Sequence, residues 1–122
     1  MIMKSYTNIE QSKKLSEILP TESADACWTN HLFDSFLSYL RVESTPPQEY
    51  KRLLDRFIVK GYLIEPAWSL AALLDVMPSA SLDSSDDHHY RLYCMERFTE
   101  WYDNAIDACY EMIFKLKENE LI

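Results

Sequence analysis

Four side chains that can bind metals or move protons stand together at residues 86 to 89: Asp86, Asp87, His88 and His89, within the run DSSDDHH. Carboxylates and imidazoles are the donor set of a metal-dependent hydrolase. The spacing argues against one shared ion, because neighbours on a strand point to opposite faces. The run also lacks the HExxH pattern and the glycine-centred calcium loop. The plainer reading is a solvated loop, residues 79 to 87, that leads into a strand.

A second constellation is TEWYDNAID, residues 99 to 107. Trp101 and Tyr102 precede a helix start at Asp103 or Asn104, where free N–H groups can meet an anion and aromatic rings can hold an apolar ligand. The alternative is a capped helix whose aromatics staple it to the core. Partial exposure of the rings makes them a hot spot with an acidic rim of Glu100 and Asp103. Burial makes them the staple.

Other chemistries are excluded by composition. The chain has one glycine, Gly61, in 122 residues. P-loops, GxGxxG turns and nucleophile elbows each need several glycines, so NTPase, dinucleotide-binding and α/β-hydrolase readings fall away. The three cysteines, Cys27, Cys94 and Cys109, are far apart and odd in number. They make neither a disulfide framework nor a CxxC motif, and their apolar neighbours read as core. Free thiols suit a reducing compartment. The net charge of −8 disfavours contact with phosphate backbones.

The elements that must position these residues follow from periodicity and caps. Thr7-Asn8-Ile9-Glu10 has the form of a capping box, opening a surface helix to about Leu19. Residues 24 to 43 have a mixed period that fits a hairpin turning at Asp34-Ser35 and leaves a helix open. Thr45-Pro46-Pro47-Gln48 reads as a second capping box. After it Tyr50, Leu53, Leu54, Phe57 and Ile58 share one helical face, with Lys60-Gly61 as the helix end. EPAWSLAALLDVMP, residues 65 to 78, predicts a buried core helix between Pro66 and Pro78, too short to span a membrane. Because that helix shows almost no polar side chains, the helix–Gly–helix of residues 46 to 77 is not a DNA-reading helix-turn-helix. Residues 88 to 96 predict a strand with Tyr90, Leu92 and Cys94 on one face. The final helix carries the stripe Ala105, Ile106, Cys109, Met112, Ile113 and Leu116, with Glu111 and Lys115 paired on the far side. The N-terminal residues show no secretory signal.

Three segments carry a resemblance: YTNIEQSKKLSEILP with ESAD, then PAWSLAALLDVMP, then WYDNAIDACYEMIFKLKE. In them the chain resembles a family of short uncharacterised proteins of gut Bacteroidetes, several of which belong to prophages or other mobile elements. The stretch from Asn30 to Glu65 departs from that pattern and reads as a variable insertion. The resemblance implies a cytosolic location and a compact α+β domain. The family has no established activity, so it transfers no functional residue.

The expectation is therefore an α+β fold, one small domain with three to four helices packed on a small antiparallel sheet. The expected role is protein binding, as an acidic accessory or regulatory protein of a mobile element. Trp101, Tyr102 and Asp103 are the candidate partner contacts; no catalytic, cofactor or metal residue is assigned, and neither nucleic acid nor membrane is expected as a partner. The rival readings are a glycine-poor metal-dependent hydrolase using Asp86 to His89, and a structural homo-oligomer subunit.

Overall fold

The computed structural model describes residues 4–30, 40–56 and 63–122. The fold is α+β: four helices and two three-stranded antiparallel sheets among the described residues. Two compact units emerge, one of Asn8–Trp68 and one of Met1–Thr7 with Ser69–Ile122.

In the first unit, α1 spans Ile9–Ser16. Its capping box is real but lies one residue later than expected. Asn8 Oδ1 accepts from the Gln11 N–H at 2.8 Å, and Gln11 Oε1 accepts from the Asn8 N–H at 3.1 Å. Both registers fit the motif; Thr7 is instead fully buried. The expected hairpin forms. Strands β1 (Ala26–Asn30) and β2 (Leu40–Glu43) pair antiparallel, Cys27 with Glu43 through Asn30 with Leu40. The turn expected at Asp34-Ser35 lies outside the described residues.

Helix α2 spans Pro47–Arg56. The Tyr50 N–H donates to the Pro46 carbonyl at 3.0 Å, so the helix begins one residue later than the Thr45 box implied. Pro47 occupies the first turn, where its missing N–H costs nothing. Tyr50 is buried, but Leu53, expected on the same core face, is 46 % exposed. Phe57, Ile58, Lys60 and Gly61 lie outside the described residues.

Residues 65 to 78 require a correction. They do not form one helix from Pro66. Ile64–Ala67 is strand β3, paired antiparallel with β1, and the sheet order is β2-β1-β3. Proline cannot donate to a ladder, but an edge strand has a free side that tolerates it. Helix α3 is only Leu70–Asp75, capped by Ser69, whose Oγ accepts from the Ala72 N–H at 3.2 Å. It is one-sided rather than enclosed: Leu73 is fully buried and Ala71 exposed. Apolar composition alone could not separate a strand followed by a short helix from one longer helix. Since β3 separates α2 from α3 along the chain, the helix-turn-helix arrangement is also absent among the described residues.

The rest of the second unit is a meander and a helix. Strand β4 (Ser81–Ser84) occupies part of the expected polar loop and pairs with β5 (Tyr90–Cys94), which pairs with β6 (Arg97–Phe98). Helix α4 (Ala105–Glu118) buries the whole stripe read from the sequence, together with Ala108. It ends in a Schellman motif: the Leu121 N–H donates to the Leu116 carbonyl at 2.8 Å, with Glu120 left-handed at φ 56°. Lys115 Nζ reaches the Phe98 carbonyl at 3.4 Å. Among the described residues no helix is long and apolar enough to cross a membrane.

Candidate interaction surface

The β4-β5-β6 sheet has two unlike faces, and β5 sets both. Its side chains alternate, and residues directly opposite in an antiparallel pair share a face. Leu92 and Cys94 point inward and are fully buried. Arg91 and Tyr93 point outward, joined by their cross-strand partners: Asp83 lies opposite Arg91, and Phe98 opposite Tyr93. Arg91 Nε donates to Asp83 Oδ2 at 3.2 Å, and the Tyr93 and Phe98 ring centroids are 4.7 Å apart.

Beyond Phe98 a β-bulge shifts the register. Between the Tyr93–Phe98 pair and the Tyr90–Tyr102 bridge, β5 advances three residues and the opposing segment four. The extra residue falls at Thr99-Glu100, opposite Leu92. Thr99 satisfies the irregular backbone there. Its N–H donates to the Leu92 carbonyl and its Oγ1 accepts from the Leu92 N–H, each at 2.9 Å, while the same hydroxyl donates to the Glu100 carbonyl at 2.8 Å. A bulge re-aims the side chains beyond it. Without it Glu100 would face Arg91; with it Trp101 does.

The two adjacent aromatics are thereby divided. Tyr102 shares the inward parity of Tyr90, its main chain bonded to Tyr90 twice at 2.7 Å. Burial, then the carboxylates of Glu111, Glu100 and Asp107 and a hydrogen bond with Glu111, hold its phenol above the ordinary value. Tyr102 is partly exposed, but its inward parity keeps it off the outer face. Trp101 is 45 % exposed and Phe98 48 % exposed. The Arg91 guanidinium lies over both rings, 4.3 Å from the Phe98 centroid and 4.7 Å from that of Trp101. Exposed Met95 stands at the β5–β6 turn, and Glu96, Glu100 and Asp103 in the adjoining segments are all exposed.

Type and spacing singled out Trp101 but missed Phe98, Arg91 and Asp83. Alternation in residues 88 to 96 did place Arg91 and Tyr93 on a common face. The register that adds Phe98 and Asp83, and the bulge that adds Trp101, leave no mark in the pattern.

The other sequence candidates stand apart from this face. Asp86, Asp87, His88 and His89 are exposed in the loop between β4 and β5, held by Ser85, whose N–H donates to the His89 carbonyl at 2.9 Å and whose Oγ accepts from the His89 N–H at 3.2 Å. No three His, Cys, Asp or Glu side chains among the described residues come together as a metal site. The start of α4 is filled by the chain itself. Asn104 Oδ1 accepts from the Asp107 N–H at 2.8 Å, and Asp107 bonds Asn104 Nδ2 at 2.7 Å and Lys4 Nζ at 2.9 Å. The Asn104 side-chain oxygen thus takes an N–H that an external anion would need. The three thiols are buried, and burial pushes Cys109 up to about 12 and Cys27, helped by Glu43, to about 11. Cys94 is raised as well. All three stay protonated near neutrality and are poor nucleophiles.

The first unit holds an open groove of about 610 Å³ between α2 and β3, lined by Pro47, Gln48, Lys51, Ile64 and Pro66 among others. Its walls present one cation and an amide on an otherwise mostly apolar lining.

No protein-family model, curated protein or solved structure matches the chain. Fold and site together define an α+β protein with an aromatic and arginine-bearing sheet face.

Proposed function

We propose that this protein works by binding a protein partner through the outer face of the β4-β5-β6 sheet, as a cytosolic accessory or regulatory protein of a mobile element. The observation that carries the reading is the pair of half-exposed rings, Phe98 and Trp101, with Arg91 over both. Tryptophan and arginine are enriched among the residues that dominate binding energy. Exposed Glu96, Glu100 and Asp103 beside them, on a chain of net charge −8, favour a partner whose rim is basic. The same charge disfavours a nucleic-acid partner. The contact residues are thus Trp101 and, at the rim, Asp103, with Phe98 and Arg91 added and Tyr102 in a supporting place beneath.

Capture from the native host tests this. The wild-type protein is expected to retain one stoichiometric basic partner, with a capture rate that falls as salt rises. Trp101→Ala is expected to lose it while its thermal stability stays within about 0.5 kcal/mol of wild type, the usual range for an exposed position. A folded Trp101→Ala protein that still holds the partner contradicts the reading, as does a wild-type protein that associates only with itself.

A further inference from the structure

The two rings and the carboxylate around Arg91 are the parts from which cation-recognition sites are made: aromatic faces that attract positive charge through their quadrupoles, and an anion beside them. Here the chain supplies its own cation. Arg91 lies over Phe98 and Trp101 and pairs with Asp83 at 3.2 Å. We propose that Phe98, Trp101 and Asp83 form a binding site for an arginine side chain of a partner, which Arg91 fills in the free protein and yields on binding. The inference rests on the reading of this face as the docking surface and names the partner's anchoring group.

Three features argue for exchange rather than a permanent internal contact. The Arg91 and Asp83 side chains are 34 % and 43 % exposed, so their pair is screened by solvent and weakly held. Arg91 stands on the middle strand, regularly paired with β4, and its side chain can swing away with no change in backbone. The backbone positions that carry the rings and the carboxylate do not depend on it. Phe98 and Asp83 are set by register, and Trp101 by the bulge that Thr99 stabilises. The backbone frame of the site is therefore retained when Arg91 leaves. The neighbouring acids Glu96, Glu100 and Asp103 raise the local concentration of cationic segments.

The test removes the internal occupant. Arg91→Met keeps an apolar stem over the sheet and deletes the charge; Arg91→Ala is the second version should packing suffer. The probe is N-acetyl-arginine methylamide, followed by NMR at the Trp101 indole N–H, with the leucine analogue and inorganic phosphate as controls. Arg91→Met is expected to bind the probe about tenfold more tightly than wild type, the factor that follows when an internal occupant holds its place for about nine-tenths of the time. Adding Phe98→Ala or Asp83→Asn should remove the gain. Equal affinity in wild type and both Arg91 variants overturns the proposal, as does a gain that survives Phe98→Ala, or phosphate binding at Arg91 in the wild type. The two readings fail separately. Probe binding by Arg91→Met, with partner capture unaffected by Trp101→Ala, supports the cation site and defeats the docking surface. Loss of capture in Trp101→Ala with no gain of probe binding in Arg91→Met defeats the cation site alone.

Discussion

Each sheet has three antiparallel strands with a five-residue strand in the middle, yet the two middle strands meet opposite surroundings. In β2-β1-β3, helices lie on both faces. Ser16 of α1 donates to Glu65 at 3.0 Å on one side, while Ile64 and Pro66, of opposite parity, meet α2 across the groove. Ala26, Cys27 and Thr29 of β1 are accordingly fully buried, while Trp28 is partly so. In β4-β5-β6, α4 packs on one face only, and β5 alternates between fully buried Leu92 and Cys94 and partly exposed Arg91 and Tyr93. A strand covered from both sides has little surface left for recognition. A strand enclosed on one side has every second position left for recognition, and the aromatic surface lies there.

The largest effect that contrasts the faces comes from the inner one. Leu92→Ala is expected to lower stability by about 2–5 kcal/mol, the range for a buried leucine whose cavity cannot collapse. Leu73→Ala in α3 is expected to fall in the same range, since that side chain is also fully buried. Chemical denaturation measures both. A loss below about 0.5 kcal/mol at Leu92 would mean that the inner face is not core, and the contrast with Trp101 would disappear.

Legibility in the sequence divides along the same line. Helix α4 was legible along its stripe, because a single buried stripe imposes its period on the sequence, while its cap stayed open between Asp103 and Asn104, of which Asn104 serves. Strand β5 was legible for its clean alternation. Strand β4 was not, since Ser81, Asp83 and Ser84 have weak strand preference and only pairing with β5 extends them. In the enclosed sheet, β3 was hidden for a different reason: Ile64 to Ala67 runs into an equally apolar helix with nothing polar between them to mark the change but Ser69. At the site, residue type pointed to Trp101 and Tyr102. Which of them faces solvent depends on a one-residue bulge, a matter of register that no local preference encodes.

The enclosed sheet carries a cost the open one avoids. Thr29 Oγ1 is buried without a hydrogen-bond partner among the described residues. A hydroxyl on an open face could turn to water; on β1 it cannot. Thr29→Val keeps the shape and removes the orphaned group, so it is expected to raise stability by about 1–2 kcal/mol, the desolvation penalty recovered. Denaturant midpoints at unchanged slope would show it. A loss of more than about 1 kcal/mol would mean that the hydroxyl is engaged in the folded protein.

The open sheet stores its own cost in the turn that brings Phe98 beside Tyr93. With Cys94 opposite Arg97, only Met95 and Glu96 lie between the strands, and both are left-handed at φ 50° and 64°. This is the geometry of a type I′ turn, which glycine and asparagine adopt readily and other residues adopt at a cost of about 1–2 kcal/mol each. Glycine in place of Glu96 relieves that strain but loses more freedom on folding, by roughly 0.5–1 kcal/mol. The balance predicts that Glu96→Gly raises stability by about 0.5–1 kcal/mol, read as a small rise in melting temperature. The substitution also deletes one rim carboxylate without touching Phe98, Arg91 or Trp101. Partner capture should therefore slow modestly in low salt while the retained complex lasts as long as before, because rim charges act on encounter and the aromatic centre on dissociation. Faster dissociation of the Glu96→Gly complex would place the turn itself in the contact and move the centre of the binding surface from Trp101 toward the β5–β6 hairpin tip.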